Sequence, residues 1–108
     1  RPQRAAVYKE NLAELIERFR RDLEASDVPF IIGQLGQFEA KPWTEARYQV
    51  NKAQIEVAAE TAHAAFVSSD GLTAKEDNTH FNTPSLHEFG QRYAEAWLQV
   101  AGDQNSVD

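Results

Sequence analysis

An aspartate and a histidine three positions apart, Asp77 and His80, stand in the polar stretch KEDNTHFN at residues 75–82. A histidine titrates near neutrality, so it can take a proton from a hydroxyl and return it to a leaving group when a carboxylate fixes its tautomer and stabilises the imidazolium. A separation of three puts both side chains on one side of a tight turn or helical start, so the pair can form locally. The same residues fit an Asx-turn made by Asp77 and Asn78, with His80 an ordinary loop residue. Asp70, next to Gly71, reads as a turn residue and is the alternative acid if Asp77 points away. Gln34 and Gln37 are placed to reach a sugar or an oxyanion, and backbone satisfaction explains them equally well. Phe38 and Trp43 offer a stacking platform for a carbohydrate ring, with packing the stronger reading. His63 falls at a helix end, where the dipole accounts for it, and His87 in a solvated first turn. The absence of cysteine removes thiol nucleophiles and thiolate metal sites. Asp77 and His80 alone fall short of a zinc site, and no metal or cofactor is expected.

These residues need elements to carry them. Apolar side chains at Ala5, Tyr8, Leu12, Leu15, Ile16, Phe19 and Leu23 gather on one side of a helix predicted over residues 5–25. Its opposite face carries Glu14 with Arg18 and Glu17 with Arg21, a solvated charge run. A short β-rich run at 28–35 reads as a buried parallel strand. A second helix is expected over 44–62, capped by Thr44, with Ala46, Val50, Ala53, Val57 and Ala58 inward. A second strand follows at 64–69, then a polar loop at 70–82 long enough to imply function. The last helix should start near Pro84, with Thr83 or Ser85 as cap and Ser85 with Glu88 as a capping box. Leu86, Phe89, Tyr93, Trp97 and Val100 form its expected buried stripe, with Gly90 on the same face for close approach to a strand. Residues 102–108 read as a frayed acidic tail.

The order helix, strand, helix, strand, helix predicts a right-handed parallel crossover. Two parallel strands need cover on both faces and neighbours on both edges. We therefore expect one half of a three-layer, doubly wound, flavodoxin-like α/β domain, with its working site beyond the carboxyl ends of the strands. Asp77 and His80 should project together into a cleft there. At 108 residues the chain is one domain's length, and 42% apolar residues suffice for one core. Seventeen acidic against eleven basic residues, net −6, leave no phosphate-tracking stripe, which argues against nucleic acid. No apolar run approaches the ~20 residues of a membrane span, and RPQR at the start lacks a signal-peptide core, so no membrane partner is expected.

The block DNTHF followed by GQRYAEAW resembles the last conserved block of SGNH-type hydrolases, in the sialate O-acetylesterase and acetylxylan esterase branch. VYKENLAELIERFRRDL, VPFIIGQLGQF, RYQVNKAQ and FVSSDGL resemble, in order, the segments that follow the Gln-Gly-Glu-Ser block of that branch. The resemblance covers essentially the whole chain and implies that residues 1–108 are the C-terminal half of a single esterase domain. It implies a serine-dependent carbohydrate O-acetylesterase, with an acetylated carbohydrate as substrate, His80 as general base and Asp77 as its orienting acid. Phe81 departs from the proline that commonly follows the histidine in the wider superfamily. The family's nucleophilic serine and oxyanion-hole groups precede the segment with which this chain begins. None of Ser26, Ser68, Ser69, Ser85 and Ser106 stands in a matching block. A missing N-terminal half, or another chain, would complete the sheet, and this chain alone should be inactive. Members of the family are often exported, which implies a secreted or periplasmic location. The alternative is a non-catalytic α/β module that pairs through an open strand edge. A stand-alone flavodoxin-like binding domain is disfavoured, because no Gly-rich phosphate loop joins a strand to its helix.

Overall fold

The computed structural model describes the backbone of residues 2–105 and the side chains of residues 6–102. Five elements follow the predicted order: α1 (Pro2–Asp22), β1 (Phe30–Gly33), α2 (Glu45–Glu60), β2 (Ala64–Val67) and α3 (Thr83–Asn105). The strands pair in parallel, Phe30 opposite Ala64 through Gly33 opposite Val67. They form a mixed α/β structure with a two-stranded sheet.

Side-chain alternation assigns the two faces of that sheet. Phe30 and Ile32 of β1 and Phe66 of β2 pack with Ile16 and Leu12 of α1 and Val57 and Ala58 of α2. Ile31 and Val67 point the other way, onto Phe89, Tyr93 and Ala96 of α3. Helices thus cover both faces. Gly33 makes the second face possible, because a Cβ there would lie 1.6 Å from the Tyr93 hydroxyl oxygen.

Helix ends explain where the predicted boundaries shift. Glu24 takes a left-handed φ of 52°. The Ala25 N–H then donates to the Arg20 carbonyl (2.7 Å) and the Glu24 N–H to the Arg21 carbonyl (3.2 Å). This Schellman closure stops α1 at Asp22 instead of 25. Thr44 caps α2 as expected, its side chain accepting from the Arg47 N–H. The cap of α3 is neither Thr83 nor Ser85 but Asn82, whose Oδ1 accepts from the Ser85 N–H at 3.0 Å. The Ser85 hydroxyl instead accepts from the Thr73 N–H. The expected tail continues α3 to Asn105, and residues 106–108 lie outside the described residues.

Two stripe assignments are corrected. Leu86 and Trp97 are about half exposed, and Gly90 faces open space, with nothing within 4 Å of where a methyl group would stand. On α1, Ile16 is buried, but Leu15, Phe19 and Leu23 are each more than half exposed. Arg20 ties this helix down: its guanidinium donates to the carbonyls of Ala62 (2.6 Å), His63 (2.8 Å) and Val28 (3.0 Å). It thereby satisfies the end of α2 and fixes the entry to β1. Glu14 and Arg18 form the expected pair at 2.7 Å, whereas Arg21 approaches Asp22 at 3.8 Å.

Candidate active site

Because β1 and β2 are parallel, the segments 34–44 and 68–82 leave the same edge of the sheet. Gln34 joins them. Its backbone N–H continues the ladder onto the Val67 carbonyl (2.8 Å), and its Oε1 accepts from the Ser69 N–H (2.8 Å) while Nε2 donates to Asn51 Oδ1 (2.9 Å). Ser69, 1% exposed, also donates to the Leu35 carbonyl at 2.8 Å. Gln34 therefore holds the loops together with both polar atoms of its side chain committed. Gln37 is exposed.

The predicted polar loop closes on itself as a hairpin. Ala74 bridges Phe81 in antiparallel fashion, with the Asn82 N–H on the Thr73 carbonyl (3.0 Å) and the Lys75 N–H on the His80 carbonyl (2.7 Å). Asn78, at φ 57°, turns the tip. Asn is among the few non-glycine residues that adopt this region readily. Within the tip, Asp77 Oδ1 accepts from the N–H groups of Thr79 (2.9 Å) and His80 (3.0 Å). Its Oδ2 lies 2.6 Å from His80 Nδ1. The Asx-type turn and the carboxylate–imidazole pair coexist on one side chain.

This contact sets the chemistry. The hydrogen bond from the His80 ring, then those from the His80 and Thr79 amides, hold the Asp77 carboxyl well below the usual carboxylate range. Asp77 is therefore an acceptor at neutral pH, and a neutral His80 carries its proton on Nδ1. Nε2 then presents its lone pair outward, from a ring 74% exposed. The expected shared cleft is met by the carboxylate only: a depression of about 730 Å³ is lined by Asp77, Lys75, Phe81, Asn82 and Leu86, and His80 stands outside it. Asp70 is not the partner of His80. No serine among the described residues bonds to His80; Ser69 and Ser85 are buried in structural roles.

Around the tip, Phe81 packs edge-on to Phe38 (5.3 Å between centroids) and against Phe89 (5.1 Å), which in turn meets Tyr93 (5.0 Å). Phe38 and Trp43 are both buried, and Trp43 Nε1 donates to the Gly36 carbonyl at 2.6 Å. They pack; they do not form an open platform. His63 has φ 57° and its Nε2 lies 3.8 Å from Asp27 Oδ1; His87 is exposed. Sequence reasoning missed Asn82 and Lys41. The first carries a readable signal, an Asn immediately before Thr-Pro. The second acts across 38 residues: Lys41 Nζ donates to Thr79 Oγ1 at 2.7 Å. Among the described residues, no group of three or more His, Cys, Asp or Glu side chains is arranged to hold a metal ion.

Comparison with known proteins finds similarity to one family and to a solved fold. The family model described as carbohydrate esterase, sialic acid-specific acetylesterase, matches residues 1–99. A solved protein from Arabidopsis thaliana, determined by X-ray diffraction at 1.6 Å, is similar at 25% identity and a TM-score of 0.75. The match covers 92% of this chain and 39% of that one, so the chain spans well under half of its solved relative. A search of curated proteins finds no match.

Proposed function

The chain belongs to the carbohydrate esterase family of sialic acid-specific acetylesterases, and from that premise we propose that it supplies the acid–base half of a serine-dependent O-acetylesterase site. The observation that carries this reading is the 2.6 Å contact between His80 Nδ1 and Asp77 Oδ2, made by an imidazole side chain that is 74% exposed. In the proposed reaction Nε2 takes the proton of a serine hydroxyl contributed by polypeptide outside these residues. The serine oxygen attacks the acetyl carbonyl, and collapse of the tetrahedral adduct breaks the bond to the sugar oxygen, which receives the proton from Nε2. Water, deprotonated by the same nitrogen, then releases acetate and restores the serine. Asp77 holds the ring and stabilises the imidazolium in both halves.

The finer architecture belongs to the same proposal. In the helix layer, α2 packs mainly on β2, while α1 packs on α2 and reaches β1 through Leu12 and Ile16. Hence α1 overhangs the unpaired edge of β1, and its flank of Leu15, Phe19 and Leu23 lies bare. A further parallel strand on that edge would cover this flank and extend the sheet toward a doubly wound, three-layer form. We assign that strand, and the serine, to the remainder of the same esterase domain. The second reading, a non-catalytic module that pairs through this edge, rests on the same bare flank.

One assay separates them. The intact protein containing this chain should hydrolyse an acetylated chromogenic ester, and His80→Ala should lower turnover by roughly 10²–10⁴-fold. The 108-residue chain alone should be inactive. An intact protein without turnover favours the module; turnover by the isolated chain that His80→Ala abolishes would mean that the nucleophile lies within it.

A further inference from the structure

We propose that the tight turn at residues 38–41 positions the His80 imidazole, with Lys41 and Phe38 as its positioning residues; the inference rests on the reading of His80 as general base. The contact between Asp77 and His80 is internal to the hairpin tip, so it survives any rigid displacement of that tip. Where the ring stands relative to the rest of the molecule is set by what holds the hairpin from outside.

Two of those outside contacts come from the one turn, and they fall on the two residues that flank His80 in sequence. Lys41 Nζ donates to Thr79 Oγ1 at 2.7 Å. The Phe38 ring meets the Phe81 ring edge-on at 5.3 Å. The Thr79 hydroxyl passes the first contact inward by donating to the Asp77 carbonyl at 3.2 Å, so ammonium, hydroxyl and carbonyl form a chain that ends on the carboxylate residue. The second contact continues through Phe89 to Tyr93 in the core.

The turn is itself built to be stiff. The Lys41 N–H donates to the Phe38 carbonyl at 2.9 Å. Gly36 leaves room for the Phe38 ring, since a Cβ there would sit 2.4 Å from its Cζ. Trp43 fixes the Gly36 carbonyl from the far side. Among the described residues Lys41 has no ion-pair partner within 4.0 Å, although acidic residues outnumber basic ones. Thr79 is the hydrogen-bond partner of its ammonium.

The test uses the intact protein, labelled with ¹⁵N-histidine and assigned with a His80→Gln variant. Lys41→Met and Thr79→Val leave the buried core untouched. Each should lower the order parameter of the His80 backbone amide, which moves with the tip that carries the ring, from about 0.85 toward about 0.6 or below. Each should also reduce kcat on an acetylated sugar ester about tenfold to a hundredfold, with KM nearly unchanged. Lys41→Arg should restore both, and the double variant should be no worse than Lys41→Met alone. Unchanged order at His80 in both single variants overturns the proposal. So does a fall in kcat without loss of order, since Lys41 would then act on the substrate. Loss of order without loss of kcat, in a protein whose turnover needs His80, overturns it as well. If His80→Ala retains full activity, the general-base reading fails, and the order parameter still decides whether the turn holds the ring.

Discussion

Asp77 uses its two carboxylate oxygens for different tasks: one accepts two backbone N–H groups and shapes the tip, and the other holds the imidazole. Substitution can separate them. In Asp77→Asn the amide oxygen still accepts the two N–H bonds but carries no charge to stabilise an imidazolium. Turnover of the intact protein should fall by on the order of 10²–10⁴-fold, while circular dichroism and melting temperature change little. Asp77→Ala should lose the turn as well, seen as new amide shifts across residues 75–80. The pH dependence has a definite sign. Because the folded-state pKa of Asp77 is depressed, its contribution is present above the unfolded value near 4 and is lost only as pH falls through the lower folded value. The Thr79 and His80 amide shifts should therefore persist at about pH 4, where free aspartates are half protonated, and move at lower pH. This much of the site was legible in sequence, since four consecutive residues enclose the whole geometry. Lys41 was not, because nothing local to residue 41 says that its ammonium will meet Thr79.

At the scale of elements, periodicity and turn chemistry were enough to order three helices and two strands, and Thr44 announced its cap. Ends and faces were less legible. Glu24 closes α1 in a conformation usually taken by glycine, so residue type gave no stop signal there. Hydrophobic spacing on α3 grouped Leu86 and Trp97 with Phe89 and Tyr93, yet only part of that broad stripe meets the sheet. The two glycines near this interface have opposite roles. Gly33→Ala drives a methyl into the Tyr93 hydroxyl and should destabilise by about 1–3 kcal/mol, measured by chemical denaturation. Gly90→Ala places its methyl in open space and should stabilise α3 by about 0.5–1 kcal/mol. Arg20 invites a similar measurement: Arg20→Met keeps the stem but abandons three carbonyls and should cost more than about 1.5 kcal/mol.

Seen whole, the molecule is a slab of 47 × 35 × 21 Å with a radius of gyration of 15.3 Å, against about 13 Å for a compact domain of this length. Among the described residues its sheet has two strands, and an apolar flank on α1 stays uncovered. Such a flank promotes association. The isolated chain should scatter light as species heavier than its 12.2 kDa, and Phe19→Lys with Leu23→Lys should return it toward the monomer without loss of helix. Element order pointed to an incomplete sheet, but composition did not say that this flank of α1 would be bare, because an apolar residue reads the same whether its neighbour is present or not. Asp77 and His80 ride on a single hairpin tip, so a rigid shift of that tip leaves their contact in place; under the proposed function it would only bring the couple nearer to a nucleophile or take it away. On that proposal reactivity would hang on one docking coordinate, and an inhibitor that wedges the tip aside would silence turnover while leaving the carboxylate–imidazole contact intact.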